Sequence, residues 1–449
     1  MGKRTILSIT VIIALALLSS SALASGFTDT YGLGSRAISL GGAFTAVADD
    51  FSAAYYNPAG LSQTNGHHLA IEYLYTMPNI DVKKANGADL VIYDILGKER
   101  TEPTEATAGN GLNLGIPVLG LIIDINDIAK LPINTQLGLA MSLPERMDIL
   151  YRIHDYPPDQ PHFIRYGDDI DRILIALGVG MEVVKDLVHI GVGTQAMLYG
   201  PGTYYIDGLS LAEENVVAQA EFGALLDYEP TAGLLITPLA KKLKIGISWR
   251  HEEEVQLGTI PVTAEVFVGG LVLTVPMILD INAFFTPEEY SFGIAYEFNR
   301  LLVSVEANKQ RWSKYAYSIT DNYYYSGDPD FEDTINYRLG AQYKASDKLI
   351  FTTGYCHQPS PVPDQSGKIS NYLDMDKDTF SLGASYTLDP PFGITKEPVK
   401  IAGVVLYQKL EKLSVNKDGV SGPSWPNQES YTVEGNVLAA GISIGLAWK

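Results

Sequence analysis

The chain has 449 residues, with 32 Lys and Arg against 52 Asp and Glu, for a formal net charge of −20. So acidic a chain offers no basic footprint for a phosphate backbone, which excludes nucleic acid as a partner. The single cysteine, Cys356, excludes an internal disulfide framework and reads as a small packed side chain.

The first 24 residues read as a secretory signal. Lys3 and Arg4 supply a positive n-region, Ile6 to Leu18 an apolar h-region, and Ala22-Leu23-Ala24 an A-x-A cleavage site. The apolar stretch is too short to cross about 30 Å of hydrocarbon as a helix. No later stretch is long and apolar enough either. If the mature chain sits in a membrane, it must be a closed barrel, because only closed strands satisfy every backbone group in lipid.

Residues 25–66 form a small-residue segment. It contains Gly32-Leu33-Gly34, Gly41-Gly42-Ala43 and Ala48-Asp49-Asp50, and it ends in Tyr56-Asn57-Pro58-Ala59-Gly60. This leaves little room for strands and reads as a compact hatch plugging whatever follows.

Residues 67–449 alternate with period two. In Thr379 to Leu388, the residues Phe380, Leu382, Ala384 and Tyr386 share one face, with Ser381, Gly383 and Ser385 on the other. One face suits lipid and the other a polar lumen. About fourteen such segments follow from the pattern. They start near His68–Met77, Asn110–Pro117 and Ile133–Leu143, and end at Val399–Lys412 and Val433–Trp448. Leu271–Phe298 is read as one strand kinked at Thr286-Pro287, with two strands as the alternative. Long connections alternate with short ones, as extracellular loops and periplasmic turns do in outer-membrane barrels. The signal peptide and the strand length weigh against a soluble β-sandwich. The expected fold is therefore an all-β transmembrane antiparallel barrel with an N-terminal hatch.

The connection 200–227 carries Leu209, Val216 and Phe222 among acids and reads as a partly amphipathic helix. It is a candidate for substrate capture or simply a cap on the barrel mouth. No zinc spacing is present around His154 and His162, and no cofactor or metal is expected. Asp374, Asp376 and Asp378 lack the rest of a calcium loop. The lumen-side charges Glu72, Arg250, Glu297, Glu306 and Arg338 are expected to pair with each other or with the hatch. Arg250 and Arg338 are also candidates for holding a substrate carboxylate.

The hatch with its Asn57-Pro58-Ala59 turn resembles that of the FadL/TodX family of outer-membrane transporters for hydrophobic compounds. So do Arg311-Trp312-Ser313, Ser360-Pro361-Val362-Pro363-Asp364 and Leu373-Asp374-Met375-Asp376-Lys377. In the last motif Leu373 stands where the family has Pro, and Lys377 where it has Arg. The resemblance implies a non-enzymatic protein of the Gram-negative outer membrane, in contact with its lipid and lipopolysaccharide. It implies passive uptake of a hydrophobic small molecule, either a long-chain fatty acid or an aromatic hydrocarbon. Capture would be by extracellular loops and release would be lateral, beside an inward kink in the third strand. Gly138 is the candidate for that exit, because a strand glycine permits a bulge. The plain alternative for Gly138 is a small residue packed against the hatch. A non-transporting surface barrel, whether adhesin, receptor or enzyme, is the competing function.

Overall fold

A computed structural model describes residues 27–84, 113–143, 162–166, 174–199, 202–207, 217–222, 225–268, 271–315, 330–368, 370–390, 397–418 and 430–448. Among these, fourteen antiparallel strands close into one barrel. They are β1 (His67–Lys84), β2 (Leu114–Asp124), β3 (Thr135–Ser142), β4 (Leu174–Val184), β5 (Val188–Tyr199), β6 (Leu225–Ile236) and β7 (Leu243–Arg250). The second half is β8 (Glu288–Phe298), β9 (Leu301–Arg311), β10 (Thr334–Lys344), β11 (Leu349–Gln358), β12 (Lys377–Leu388), β13 (Val399–Val415) and β14 (Tyr431–Trp448). Each strand pairs with its sequence neighbour, and β1 pairs with β14 from His67↔Trp448 to Lys84↔Tyr431. Closure removes the sheet edge, which is what makes such a fold admissible in lipid.

The period-two pattern sorts the side chains as the sequence implies. Phe380, Leu382 and Tyr386 are exposed on the outside, as are Phe292 and Ile294 on β8 and Ile442 and Ile444 on β14. Ser381, Ser291 and Ser443 on the same strands are buried on the inside. A belt of exposed apolar side chains over much of the wall is unfavourable in water and matches a hydrocarbon shell, although Leu121, Ile123, Leu139, Met141 and Ile175 on β2 to β4 are buried in a cluster of their own.

The segment Leu271–Phe298 is not one kinked strand. Pro287 separates Leu271–Thr286, which pairs with Glu253–Val268 as a hairpin outside the barrel ladder, from β8, which is in the wall. A proline lacks the N–H that a continuous ladder would require. The β2 segment lies later than the alternation indicated, at Leu114–Asp124, and the short helix α1 (Ile125–Ala129) fills the turn to β3. Asp124 caps that helix by accepting from the Asn126 N–H at 3.0 Å. The connection 200–227 is not helical where it is described: Gly202–Asp207 pairs with Val217–Phe222 as a hairpin, and β6 already begins at Leu225. Alternation of β-branched and small residues there outweighed a helical moment.

The lipid-facing assignment predicts that Leu382→Arg places a charge at mid-wall, at a cost of about 2–4 kcal/mol. Leu382→Phe should be tolerated. Heat-modifiable gel mobility, which distinguishes folded from unfolded barrel, should show loss of the folded form for the arginine variant alone.

Candidate functional site

The hatch is built from turns that small residues permit. Short helices run over Phe27–Tyr31, Ser35–Ser39 and Ala53–Tyr56, and a 3₁₀ helix spans Pro58–Gln63. Asn57 ends one helix and starts the next. Its Oδ1 accepts from the Ala59 N–H at 3.1 Å, with Pro58 in the first helical position, where no N–H is needed. Its Nδ2 donates to the Thr45 carbonyl at 2.8 Å and to the Leu234 carbonyl of β6 at 3.3 Å. The Asn-Pro-Ala turn thus fixes the hatch internally and fastens it to the wall.

Glycines let the hatch approach the wall at backbone distance. Across neighbouring strands they oppose each other in register, as Gly138↔Gly178, Gly191↔Gly233, Gly246↔Gly293 and Gly340↔Gly354. A methyl at Gly191 would meet the Ala59 nitrogen and the Pro58 carbonyl carbon at 2.2 Å, and one at Gly354 the Gly41 nitrogen at 2.0 Å. The contacted atoms are backbone, so a side chain here could be admitted only by moving the hatch.

Charged residues supply a further part of the attachment, beside the apolar cluster that Leu33, Leu40, Phe44 and Phe51 of the hatch form with Leu74, Ile116 and Val404 of the wall. On β9 and β10, Glu306 and Arg338 are directly opposed and bonded at 2.7 Å, and the other Glu306 oxygen accepts from the Phe44 and Thr45 N–H groups at 3.0 and 2.8 Å. On β7 and β8, Arg250 opposes Glu289 at 2.5 Å and reaches Asp29 of the hatch at 3.2 Å, with its guanidinium 4.2 Å from the centre of the Tyr55 ring. On β1, Glu72 accepts from the Ser35 N–H at 2.7 Å, while Arg36 pairs with Asp49 within the hatch. Buried charges persist when paired and hydrogen-bonded; Arg250, Glu289, Glu306 and Arg338 are paired, whereas Glu72 is held by hydrogen bonds from the Ser35 N–H and hydroxyl.

Between the hatch and the wall lies a cavity of about 60 Å³, bordered by Asp29, Tyr55, Tyr56, Arg250, Glu289, Arg338 and Cys356. That is space for about four waters at 10–15 Å³ each. Its lining mixes these charged and phenolic side chains with apolar ones such as Ile38, Trp249 and Leu406. The helix Phe27–Tyr31 covers it as a latch. Gln408 donates to the Thr30 carbonyl at 2.6 Å, Thr30 Oγ1 donates to the Arg165 carbonyl at 3.0 Å, and Gln358 donates to the Asp29 carbonyl at 3.3 Å. Burial, set against the attraction of Arg250, pushes the Asp29 carboxyl up to about 6.

Above the latch, the residues of the Ser-Pro-Val-Pro and Asp-x-Asp motifs hold the mouth together. Asp374 forms a buried pair with Arg165, and Asp376 accepts from the Ser360 N–H at 2.7 Å. His162–Phe163 pairs in parallel with Tyr372–Leu373 beside them. Lys417, just past β13, donates to the carbonyls of Gln365, Lys368 and Ser370 at 2.8, 2.8 and 2.6 Å. Asp378 points elsewhere, to Tyr355 and His357. The three aspartates therefore diverge and do not converge on a cation.

The sequence candidates separate on this geometry. Asn57, Pro58 and Ala59 are where the hatch meets the wall. Arg250 and Arg338 face the lumen, but their charges are taken by Glu289, Asp29 and Glu306. Glu297 pairs with Lys344 at 3.0 Å near the turns. Leu209 and Val216 lie outside the described residues, as does His154. Phe222 is in the outer hairpin, and its side chain is likewise not described. Gly138 is not at a gap. Its strand is paired without a register shift to β2 over Gln136–Ser142 and to β4 over Thr135–Ser142, and a methyl at Gly138 would meet Leu61 Cδ2 of the hatch at 2.4 Å. The glycine serves close packing, not a bulge. Sequence reasoning missed the Asp29 latch, Arg165 and the burial of Lys377. Only the arginine and lysine types next to family motifs could have hinted at them.

The chain is thus a fourteen-stranded antiparallel barrel with its own N-terminal segment packed inside it. Residues 233–446 match the outer membrane protein transport protein family (OMPP1/FadL/TodX). Over that stretch, just under half of its length, the chain is similar to the FadL/TodX family. It is 21% identical to alkane uptake protein A of Marinobacter nauticus, covering 98% of this chain and 95% of that one. Its fold is similar to a FadL homologue of Pseudomonas aeruginosa, with a TM-score of 0.53, 15% identity and coverage of 95% and 98% of the two chains. It is also similar to the toluene transporter TodX of Pseudomonas putida, with a TM-score of 0.54, 14% identity and coverage of 93% and 99%.

Two predictions follow from the hatch contacts. Gly191→Val should displace the hatch and raise ion conductance in planar bilayers, because backbone atoms stand in the way. Gly138→Ala should have a smaller effect, since the Leu61 side chain can swing aside; equal conductance changes would contradict the contact geometry. The second prediction concerns pH. A carboxyl raised from 3.8 to about 6 stabilises the closed latch fully below about pH 4 and loses that contribution as pH rises through about 6. Cys356 borders the covered cavity, so its alkylation rate, divided by the rate in denatured protein at the same pH, reports latch opening. That ratio should be lower at pH 5 than at pH 7.5, and Asp29→Asn should abolish the difference.

Proposed function

We propose that this chain is a channel for passive uptake of long-chain fatty acids, captured at the extracellular loops and released sideways into the membrane. The observation that carries the reading is the filled lumen. A purely structural or adhesive barrel has no need of a segment fastened inside it by backbone contacts and paired charges, whereas a regulated passage does. Lipopolysaccharide and polar porins disfavour apolar solutes, while transfer into an apolar protein path is worth about 0.8 kcal/mol per CH₂. Sideways release avoids returning the chain to water. With β3 fully paired, the exit is not assigned to Gly138.

A second reading, uptake of neutral hydrocarbons by the same route, is favoured by the names of the alkane and toluene proteins that the chain resembles. A non-transporting surface barrel is the third. Uptake of labelled oleate, hexadecane and toluene by cells that lack other carriers decides among them. Saturable oleate uptake dependent on this chain supports the proposal. Uptake of the neutral hydrocarbons alone selects the second reading, and uptake of none selects the third. Removing residues 26–60 should leave a folded barrel of sharply raised conductance; unchanged, near-zero conductance would deny this segment its role as the plug.

A further inference from the structure

A histidine fastens the hatch beside the Asn57-Pro58-Ala59 turn. His189 is the second residue of β5, and it is 2% exposed. Its Nδ1 lies 2.8 Å from the hydroxyl of Ser62, in the 3₁₀ helix that follows the turn. Ser62 Oγ donates its own proton to the Ala59 carbonyl at 2.9 Å, so Nδ1–H is the donor to Ser62. That leaves a neutral ring with Nε2 bare, and Nε2 has no hydrogen-bond partner among the described residues. The fastening sits where hatch and wall are closest. Gly191, two residues along β5, admits the Ala59 backbone, and the Ser62 carbonyl accepts from Asn134 Nδ2 at 2.7 Å.

A second proton on this ring would be a buried donor without an acceptor, on a buried cation. The charged groups around it are already engaged. Glu182 of β4 stands opposite His189 in register, but its Oε1 accepts from the Asp186 N–H at 2.7 Å. Asp186, in the connection from β4 to β5, pairs with Lys241 at 2.5 Å. Lys244 of β7 donates to Gln63 of the hatch at 2.9 Å, with Asp49 3.9 Å away. On β6 the residue opposite is Leu235, which carries no charge. Glu182 and Asp186 attract a positive charge at His189, while Lys241 and Lys244 repel it. The four offset one another, and the loss of water decides against the imidazolium. Once the hatch has moved off, the ring meets water and takes up its second proton near pH 6.5, as a free imidazole does. The undocked state then binds more protons than the docked one. Docking is therefore at full strength above about pH 6.5 and weakens as pH falls below it.

We propose that the Ser62–His189 contact is a proton-sensitive fastening, which holds the hatch while the imidazole is neutral and releases it when the ring is protonated. It rests on the reading of the hatch as the plug and is independent of which cargo the chain carries.

The test is single-channel recording of the full-length protein in planar bilayers at pH 7.5 and pH 5. If the docked ring takes no proton at all, acid multiplies the ratio of open to closed time by about thirty through this histidine. His189→Asn can place an N–H donor where Nδ1 stands but does not titrate. The variant should stay closed at pH 7.5 and lack the acid-induced opening. The Asp29 latch titrates in both proteins, so it drops out of the comparison. Equal pH responses in wild type and His189→Asn overturn the proposal. Amide exchange of residues 57–63 in the wild type, corrected for the intrinsic pH dependence, needs no variant and covers the case in which His189→Asn fails to fold. Protection there should be lower at pH 5 than at pH 7.5, and unchanged protection overturns the fastening. If removing residues 26–60 leaves the conductance unchanged, the plug reading itself fails. If that removal opens the channel and the pH responses are equal, only the fastening fails.

Discussion

Everything in this molecule depends on how a polar-lined barrel can be filled. A wall that shows apolar side chains to lipid must, by the period of a strand, turn its alternate residues inward. Many of those residues are serines, glycines and charges that lose water inside a plugged lumen, while Leu74, Ile116, Val118 and Val404 join Phe44 and Phe51 of the hatch in one apolar cluster. The hatch solves this in two ways. Where glycines line the wall it presses in backbone to backbone, and where charges line the wall it brings N–H groups and opposite charges to meet them.

The two carboxylates that receive the hatch show the logic. Glu306 divides its oxygens between Arg338 on the next strand and two hatch N–H groups, so the ion pair of the wall becomes the docking point of the plug. Arg250 does the reverse: it is shared between Glu289 of the wall and Asp29 of the hatch. Removing one member of such a buried pair strands the other, a loss of about 3–5 kcal/mol. The hatch body is therefore held firmly, whereas the latch at Phe27–Tyr31 hangs on a few hydrogen bonds and one carboxyl that is easily protonated.

The small cavity follows from the same arrangement. If the chain carries apolar cargo as proposed, a rim of Asp29, Arg250, Glu289 and Arg338 would have to open, and the hatch residues on it are the ones free of the strand ladder. The wall residues need not move, because their partners across the strands remain. Motion confined to the N-terminal segment leaves the barrel ladder, and hence the membrane fit, untouched.

The sequence by itself determined the barrel, its two faces and the hatch. Period-two alternation is a local property, and a small-residue segment ending in Asn57-Pro58-Ala59 cannot be mistaken for a strand. It also placed Arg250, Arg338 and Glu306 on the lumen face and anticipated their pairing. Tertiary structure alone decided what each touches, because the partners are set by strand register and by a hatch far away in sequence: Glu306 meets Phe44, and Gly191 meets Ala59. It also decided that Gly138 packs on Leu61, since a strand glycine has the same local signature whether it makes room for a bulge or for a neighbour. The pairing of Glu253–Val268 with Leu271–Thr286 outside the wall was hidden for a similar reason: a hairpin and a spanning strand share one period, and only Pro287 marks where the wall resumes. The burial of Lys377 was the least legible feature, because a lysine at a strand end is ordinarily exposed, and the Tyr166 ring beside it comes from a segment far away in sequence.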